Sequence, residues 1–168
     1  MTQSIMLVTG GSRGIGAATA ILAAAQGYQV AISYLGNQAA ANTVVQTIEA
    51  AGGKGGVIVN LSSAAARLGS PNEFVDYAAA KGAVDSMTIG LSKEVANEGV
   101  RVNAVRPGLI YTDIHISAGE PGRVDRAKGA VPMQRGGTAE EVGDTILWLA
   151  SPQSSYVTGT LIDVAGGR

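Results

Sequence analysis

Near its start the chain runs from "IMLVT" (Ile5–Thr9) into "GGSRGIG" (Gly10–Gly16) and on into "AATAILAAA" (Ala17–Ala25). A short unbroken apolar run ending in glycine suits a strand buried on both faces of a parallel sheet. The alanine-rich stretch suits a helix from Gly14 to Gln26 that packs closely on that sheet. Glycines at positions 10, 14 and 16 let the backbone turn sharply, approach an anionic group and seat the helix against the strand. The free amides of the helix start then face that group. A glycine-rich turn alone is also compatible with a plain tight connection; placed in the first βα unit of the chain, it points to a pyrophosphate and so to a nucleotide.

The pattern repeats along the chain. "QVAISY" (Gln29–Tyr34) reads as a second strand, and Ala39–Ala51 as a second helix with Val44, Val45 and Ile48 on its buried side. "GVIVNL" (Gly56–Leu61) is a third buried strand, Phe74–Asn97 a long helix, and "VRVNAVR" (Val100–Arg106) a fourth strand. Pro107–Gly137 shows little periodicity and is long for a connection inside a compact domain, which marks about 113–137 as a substrate lid. Ala139–Ala150 returns to helix with acidic residues in its first turn, as the macrodipole favours, and Leu161–Val164 is a last strand. Alternating elements of this kind predict an α/β fold: a three-layer, doubly wound parallel sheet in a single domain over 1–168, without internal repeats.

Composition narrows the partners. The 168 residues are 46% hydrophobic and 15% charged, enough to bury one sizeable core. Twelve basic against thirteen acidic residues, a formal charge of −1, and no clustered Lys/Arg argue against a nucleic-acid or membrane surface and for a small ligand. There is no cysteine, so disulfides and thiolate metal sites are excluded, and no metal site is expected. The opening "MTQSIMLVTGG" lacks the pattern of a signal peptide, and no apolar run is long enough to span a membrane, so a cytoplasmic location is the expectation.

Chemistry-bearing residues follow the third strand. It delivers "NLSS" (Asn60–Ser63), and the long helix carries "YAAAK" (Tyr77–Lys81). Residues four apart share a helix face, so the phenol of Tyr77 and the ammonium of Lys81 point into one site. An unperturbed phenol titrates near ~10 and is a poor proton exchanger at neutral pH, but an adjacent cation favours the phenolate. A serine hydroxyl at the strand end is placed to hydrogen-bond an oxygen on which charge develops. His115, the single histidine, is assigned to substrate contact or lid packing. Trp148 is expected in the core or at a subunit contact, and Asn60 and Asn103 are expected to satisfy backbone groups.

The glycine turn, "SS", "YAAAK", "RPGLIYT" (Arg106–Thr112) and the closing "GTLIDVAGG" occur in one order that resembles the short-chain dehydrogenase/reductase family over almost the whole chain. The resemblance implies an NAD(P)-dependent oxidoreductase that moves a hydride to or from a carbonyl or alcohol carbon. Its catalytic residues would be Ser63, Tyr77 and Lys81. Ser63 is chosen over Ser62 because the family serine lies about thirteen residues before the tyrosine; Ser63 lies fourteen before it, one residue being inserted, and Ser62 fifteen. Cofactor contacts would come from Gly10, Ser12, Arg13, Gly14, Ile15 and Gly16 in the glycine turn, and from Tyr34 after the second strand. Pro107, Gly108, Ile110 and Thr112 would join Tyr77 and Lys81 at the nicotinamide end. The second strand ends in "ISYLGN" (Ile32–Asn37) with no acid to hold ribose hydroxyls, and Arg13 lies where a 2′-phosphate would sit, so NADP is expected over NAD. Family members commonly pair the long helix across subunits, and Ala83, Val84, Met87 and Leu91 are candidates for that face of a homodimer or homotetramer. Substrates in this family include 3-oxoacyl thioesters, small sugars and alcohols.

The resemblance breaks at "GGKGG" (Gly52–Gly56). This is not a phosphate loop, because Lys54 is followed by glycine where Ser or Thr is required. It stands where the family has two strands, two helices and its catalytic asparagine, roles that no residue here inherits. The missing strand would separate the first strand from the one carrying "NLSS", so the glycine turn and Tyr77 are expected to approach by about one strand spacing, ~4.8 Å. Either the chain joins two segments of a longer protein there, with a Cα separation well above the ~3.8 Å of a trans peptide, or the deletion is genuine. A genuine deletion favours the alternative reading, an inactive nucleotide-binding or scaffold protein of the same fold.

Overall fold

A computed structural model describes residues 5–9, 14–33, 56–117 and 119–168. Strand β1 (Ile5–Thr9), helix α1 (Gly14–Ala25) and strand β2 (Gln29–Ser33) make the opening βαβ unit. Strand β3 (Gly56–Leu61) leads through the short α2 (Ala65–Leu68) to the long α3 (Val75–Glu94), and β4 (Arg101–Pro107) follows. Two short helices, α4 (Ile114–Ser117) and α5 (Arg123–Ala127), precede α6 (Ala139–Ala150) and β5 (Leu161–Val164). All strand pairs are parallel, in the order β2-β1-β3-β4-β5. β1 pairs directly with β3, Ile5 with Gly56, Met6 with Val57 and Leu7 with Ile58, where the family pattern calls for another strand between them.

The two faces of the sheet are covered by different physics. On one side α1 and α6 pack through apolar contact. Met6 and Val8 meet Ala20 and Ala23 of α1 and Leu147 and Ala150 of α6, while Val59 and Val105 meet Val142, Ile146 and Leu149. Small residues set the spacing: Ala20 and Ala23 are fully buried, and a Cβ on Gly143 would come 3.3 Å from Leu22 Cδ1. On the other side α3 buries Ala78, Asp85, Thr88 and Ser92, a stripe at helical spacing with no large apolar side chain. Hydrogen bonds hold it instead. Asn60 Nδ2 donates to Thr88 Oγ1 at 2.9 Å, Ser62 Oγ to the Lys81 carbonyl at 3.2 Å, and Lys81 Nζ to the Leu61 carbonyl at 2.7 Å. Arg106 of β4 places Nε and Nη2 3.0 and 2.8 Å from Asp85 Oδ2.

Several expectations need correction. The long helix stops at Glu94, and Ala96–Glu98 forms a separate 3₁₀ turn. Pro107–Gly137 is not wholly irregular, since α4, α5 and a 3₁₀ turn at Lys128–Ala130 lie within it; each is too short to show a helical period. Asn103 bonds the backbone at Val157 and Thr160, but Asn60 pairs with a side chain. Trp148 is 44% exposed and no part of the core. Tyr34, the Ala39–Ala51 helix and the Gly52–Gly55 part of the suspected seam lie outside the described residues. Among the described residues no helix is long and apolar enough to cross a membrane.

Helix α6 starts with a capping box: Thr138 Oγ1 accepts from the Glu141 amide and Glu141 Oε2 from the Thr138 amide, at 3.2 and 2.9 Å. Arg135 grips the same carboxylate, and its guanidinium with the Thr138 amide pulls Glu141 down from an ordinary 4.5 to about 2. A carboxyl with a depressed folded-state pKa stabilises above its unfolded value and loses that contribution as pH falls toward the folded one. Glu141→Gln keeps a box-forming amide but loses the ion pair. Its urea midpoint is therefore expected below wild type at pH 7, with the difference shrinking between pH 4.5 and about 2; a difference constant with pH would contradict this.

Candidate active site

The site forms where β3 and β4 end. The parallel ladder continues past β3: the Ser62 amide donates to the Val105 carbonyl at 2.9 Å and the Ala64 amide to the Pro107 carbonyl at 3.0 Å. Alternation along this extended chain sends the two serines to opposite sides. Ser62 is buried, and its hydroxyl hydrogen is committed to the Lys81 carbonyl. Ser63 is only partly buried, and its Oγ accepts from the Ala65 amide at 3.1 Å, which leaves its hydrogen available to a third partner.

Tyr77 and Lys81 sit in the first two turns of α3, four residues apart. The Tyr77 ring is 40% exposed, and Lys81 Nζ lies 5.7 Å from its centroid. Burial pushes the Lys81 ammonium below the usual lysine range, and the charge of Asp85, one turn further along α3, works in the opposite direction. The Leu61 carbonyl fixes Nζ in place.

Beyond β4 the chain turns at Pro107–Gly108 because Gly108 lies against β5: its amide donates to the Val164 carbonyl at 3.0 Å. A Cβ there would come 2.8 Å from Ala165 Cα. Ile110 is buried and bridges to Gly137, while the Tyr111 amide donates to the Gly137 carbonyl. His115 Nε2 lies 2.9 Å from the Ile110 carbonyl, within this segment. Thr112 then reaches the glycine turn. Gly14, with φ +55°, adopts the left-handed conformation that favours glycine, and a Cβ on it would lie 3.7 Å from Thr112 Cγ2. Gly16 is buried, and Ile15 packs on the core beneath β3 and β4. Gly10, Ser12, Arg13 and Tyr34 fall outside the described residues.

Thus the structure gathers Gly14, Thr112 and the Pro-Gly turn on one side, and joins Tyr77 with Lys81 on α3 beside the Ser62–Ser63 strand end. Sequence reading missed Asp85 and Arg106. The signal was available: an acid four residues after Lys81, and an arginine near the end of a largely buried strand. A cleft lined by Leu109, Ile110, Met133, Arg135, Glu141 and Asp163 adjoins the segment after the Pro-Gly turn, and its charges are taken up in ion pairs. Among the described residues no group of His, Asp and Glu could hold a metal ion.

Comparison with known proteins decides the family. A model described as short chain dehydrogenase matches residues 4–54, and one described as enoyl-(acyl carrier protein) reductase matches residues 41–168. The chain belongs to the short-chain dehydrogenase/reductase family. The uncharacterized oxidoreductase YgfF of Escherichia coli K12 is 43% identical over 247 positions covering 99% of this chain and 100% of that protein. With 168 residues here against 247 positions, at least 79 have no counterpart in this chain. The 3-oxoacyl-[acyl-carrier-protein] reductase FabG of Chlamydia muridarum is 43% identical over 114 residues, 68% of this chain and 45% of that protein, so the match spans less than half of that relative. A short-chain dehydrogenase/reductase of Mycobacterium ulcerans has the same fold, with a TM-score of 0.85 at 24% identity, covering 99% of this chain and 90% of that one.

Members of this short-chain dehydrogenase/reductase family bind NAD(P) and act on CH–OH and C=O groups. The residues present fit the nicotinamide half of such a cofactor. A left-handed glycine opens α1 beside the Thr112 side chain, and the Ser63 hydroxyl beyond β3 and the Tyr77 phenol and Lys81 ammonium of α3 supply donors. Gly108→Ala places a methyl on Ala165 and is expected to cost about 1–3 kcal/mol through overpacking, read as a lower urea midpoint. An unchanged midpoint would contradict the close approach.

Proposed function

We propose that this chain is an NADP-preferring carbonyl/alcohol oxidoreductase in which Tyr77 exchanges the proton. The observation that carries the reading is the Lys81 ammonium fixed 5.7 Å from the Tyr77 ring by the Leu61 carbonyl. A cation held there is placed to offset the negative charge that develops on the phenol oxygen as its proton is passed on. NADPH would supply the hydride when bound. Tyr77 Oη gives its proton to the substrate oxygen as the carbonyl is reduced, and takes it back in the reverse direction. Ser63 Oγ donates a hydrogen bond to the same oxygen, a role supported by its accepting bond from the Ala65 amide. Lys81 and Thr112 would hold the ribose and carboxamide ends. The preference for NADP rests on the absence of an acid in "ISYLGN" and on Arg13 in the glycine turn. Substrates are carbonyl or alcohol small molecules, with 3-oxoacyl thioesters the first class to try, given the names of the FabG relatives. Assembly through α3 as a dimer or tetramer, and residence in the cytoplasm, belong to the same reading.

The test is NADPH oxidation with ketones, 3-oxoacyl thioesters and sugars, comparing wild type with Tyr77→Phe. Removal of the proton donor is expected to lower kcat by about 10²–10⁴-fold while the KM for NADPH stays within a few-fold. NADH is expected to give the lower kcat/KM of the two cofactors. Equal rates for wild type and Tyr77→Phe across the panel would overturn the assignment.

A further inference from the structure

Asp85 is buried among polar contacts that the proposed chemistry does not use. Its side chain is 9% exposed. Oδ2 takes both bonds from Arg106, whereas Oδ1 is buried with no hydrogen-bond partner among the described residues. An unsatisfied buried carboxylate oxygen costs stability unless its charge is offset nearby. The residue four positions earlier on the same helix face is Lys81. Beyond Asp85 the charges alternate: Arg106 on β4 also faces Asp163 of β5 at 3.8 Å, and Asp163 pairs with Arg67 of α2 at 3.2 Å.

We propose that Asp85 is a positioning residue that holds Lys81 as a cation beside the Tyr77 phenol, with Arg106 anchoring the carboxylate from β4. The inference rests on the assignment of Tyr77 and Lys81 above. The groups facing Lys81 are few. On α3 they are Tyr77 and Asp85, and Asp85 is shared with Arg106 of β4; β3 (Gly56–Leu61) contributes its Leu61 carbonyl and no titratable side chain. Loss of Asp85 therefore leaves Lys81 partly buried without its counter-charge, whereas Arg106 keeps Asp163 at 3.8 Å. That arrangement expels a proton from the weaker cation, Lys81.

The direct test needs no cofactor. The pH midpoint of Lys81 acetylation by isotopic acetic anhydride, read by peptide mass spectrometry, reports its charge state in the free protein. Asp85→Asn is expected to lower that midpoint by about one pH unit, and Asp85→Glu to restore most of it. A midpoint within about 0.2 units of wild type in a folded Asp85→Asn protein would overturn the proposal. If Asp85→Asn does not fold, Arg106→Gln serves: with the competing cation gone the Lys81 midpoint must rise, and no change or a fall overturns the proposal. In turnover, Asp85→Asn should lose more kcat/KM at pH 8 than at pH 6, whereas a loss equal at both would mark a purely structural role. Failure of the Tyr77 assignment shows separately, as equal NADPH oxidation by wild type and Tyr77→Phe whatever the labelling midpoint.

Discussion

Helix α3 is attached to the sheet by hydrogen bonds and one ion pair rather than by apolar contact, and the geometry of the site depends on that choice. Its buried stripe is Ala78, Asp85, Thr88 and Ser92, met by Asn60 and Ser62 at and beyond β3 and by Arg106 on β4. Each such bond contributes only about 0.5–1.5 kcal/mol net, but breaking one strands a buried partner at a cost of about 1–3 kcal/mol. Apolar faces tolerate sliding; a set of directional bonds from α3 to the sheet at Lys81, Asp85 and Thr88 does not. The helix is thereby fixed in rotation and height, and Tyr77 and Lys81 with it. The opposite face of the sheet, built on Met6, Val59, Val105, Val142 and Leu149, supplies the apolar burial that stabilises the fold.

This division explains what could be read from the sequence. Strands β1, β3 and β5 match their expected limits because short, mainly apolar runs with glycine close by leave little choice, and α6 matches because an apolar period and a Thr138–Glu141 cap coincide. The buried side of α3 was hidden. Small and polar residues at spacings of three and four look like a solvent face until their partners are known, and those partners lie on two different strands. The same holds for the serines. Spacing from Tyr77 singles out Ser63, but that Ser62 has spent its hydrogen on a helix carbonyl is a tertiary fact. Helices α4 and α5, at four and five residues, carry too little pattern to be seen. Of the two expectations for Trp148, core or subunit contact, its exposure on the outer side of α6 removes the first, since the buried face of that helix is already filled by Ile146, Leu147, Leu149 and Ala150.

The sheet has joined β1 to β3 directly, over three residue pairs where β1 and β2 share five. The edge that carries chemistry survives this change. Gly14, Ser63, Pro107 and Thr112 all lie at or just beyond the carboxyl ends of parallel strands, where open α/β sheets bind ligands. Thr112 lies beside Gly14, 3.7 Å from where a Cβ on that glycine would stand. Ser63, Tyr77 and Lys81, the set proposed to exchange a proton with substrate, are local to the end of β3 and to α3, so their mutual geometry does not depend on what lies between β1 and β3. Cofactor span does depend on it, and hydride delivery is where the shortened sheet is tested.

The most direct measurement is a single turnover with NADPH deuterated at the transferring position of nicotinamide and a ketone substrate, the alcohol product being examined by mass spectrometry and NMR. The account predicts one deuterium on the carbinol carbon, delivered to one face of it. NADPH bound by the protein with no deuterium reaching carbon, for any carbonyl class, would contradict it.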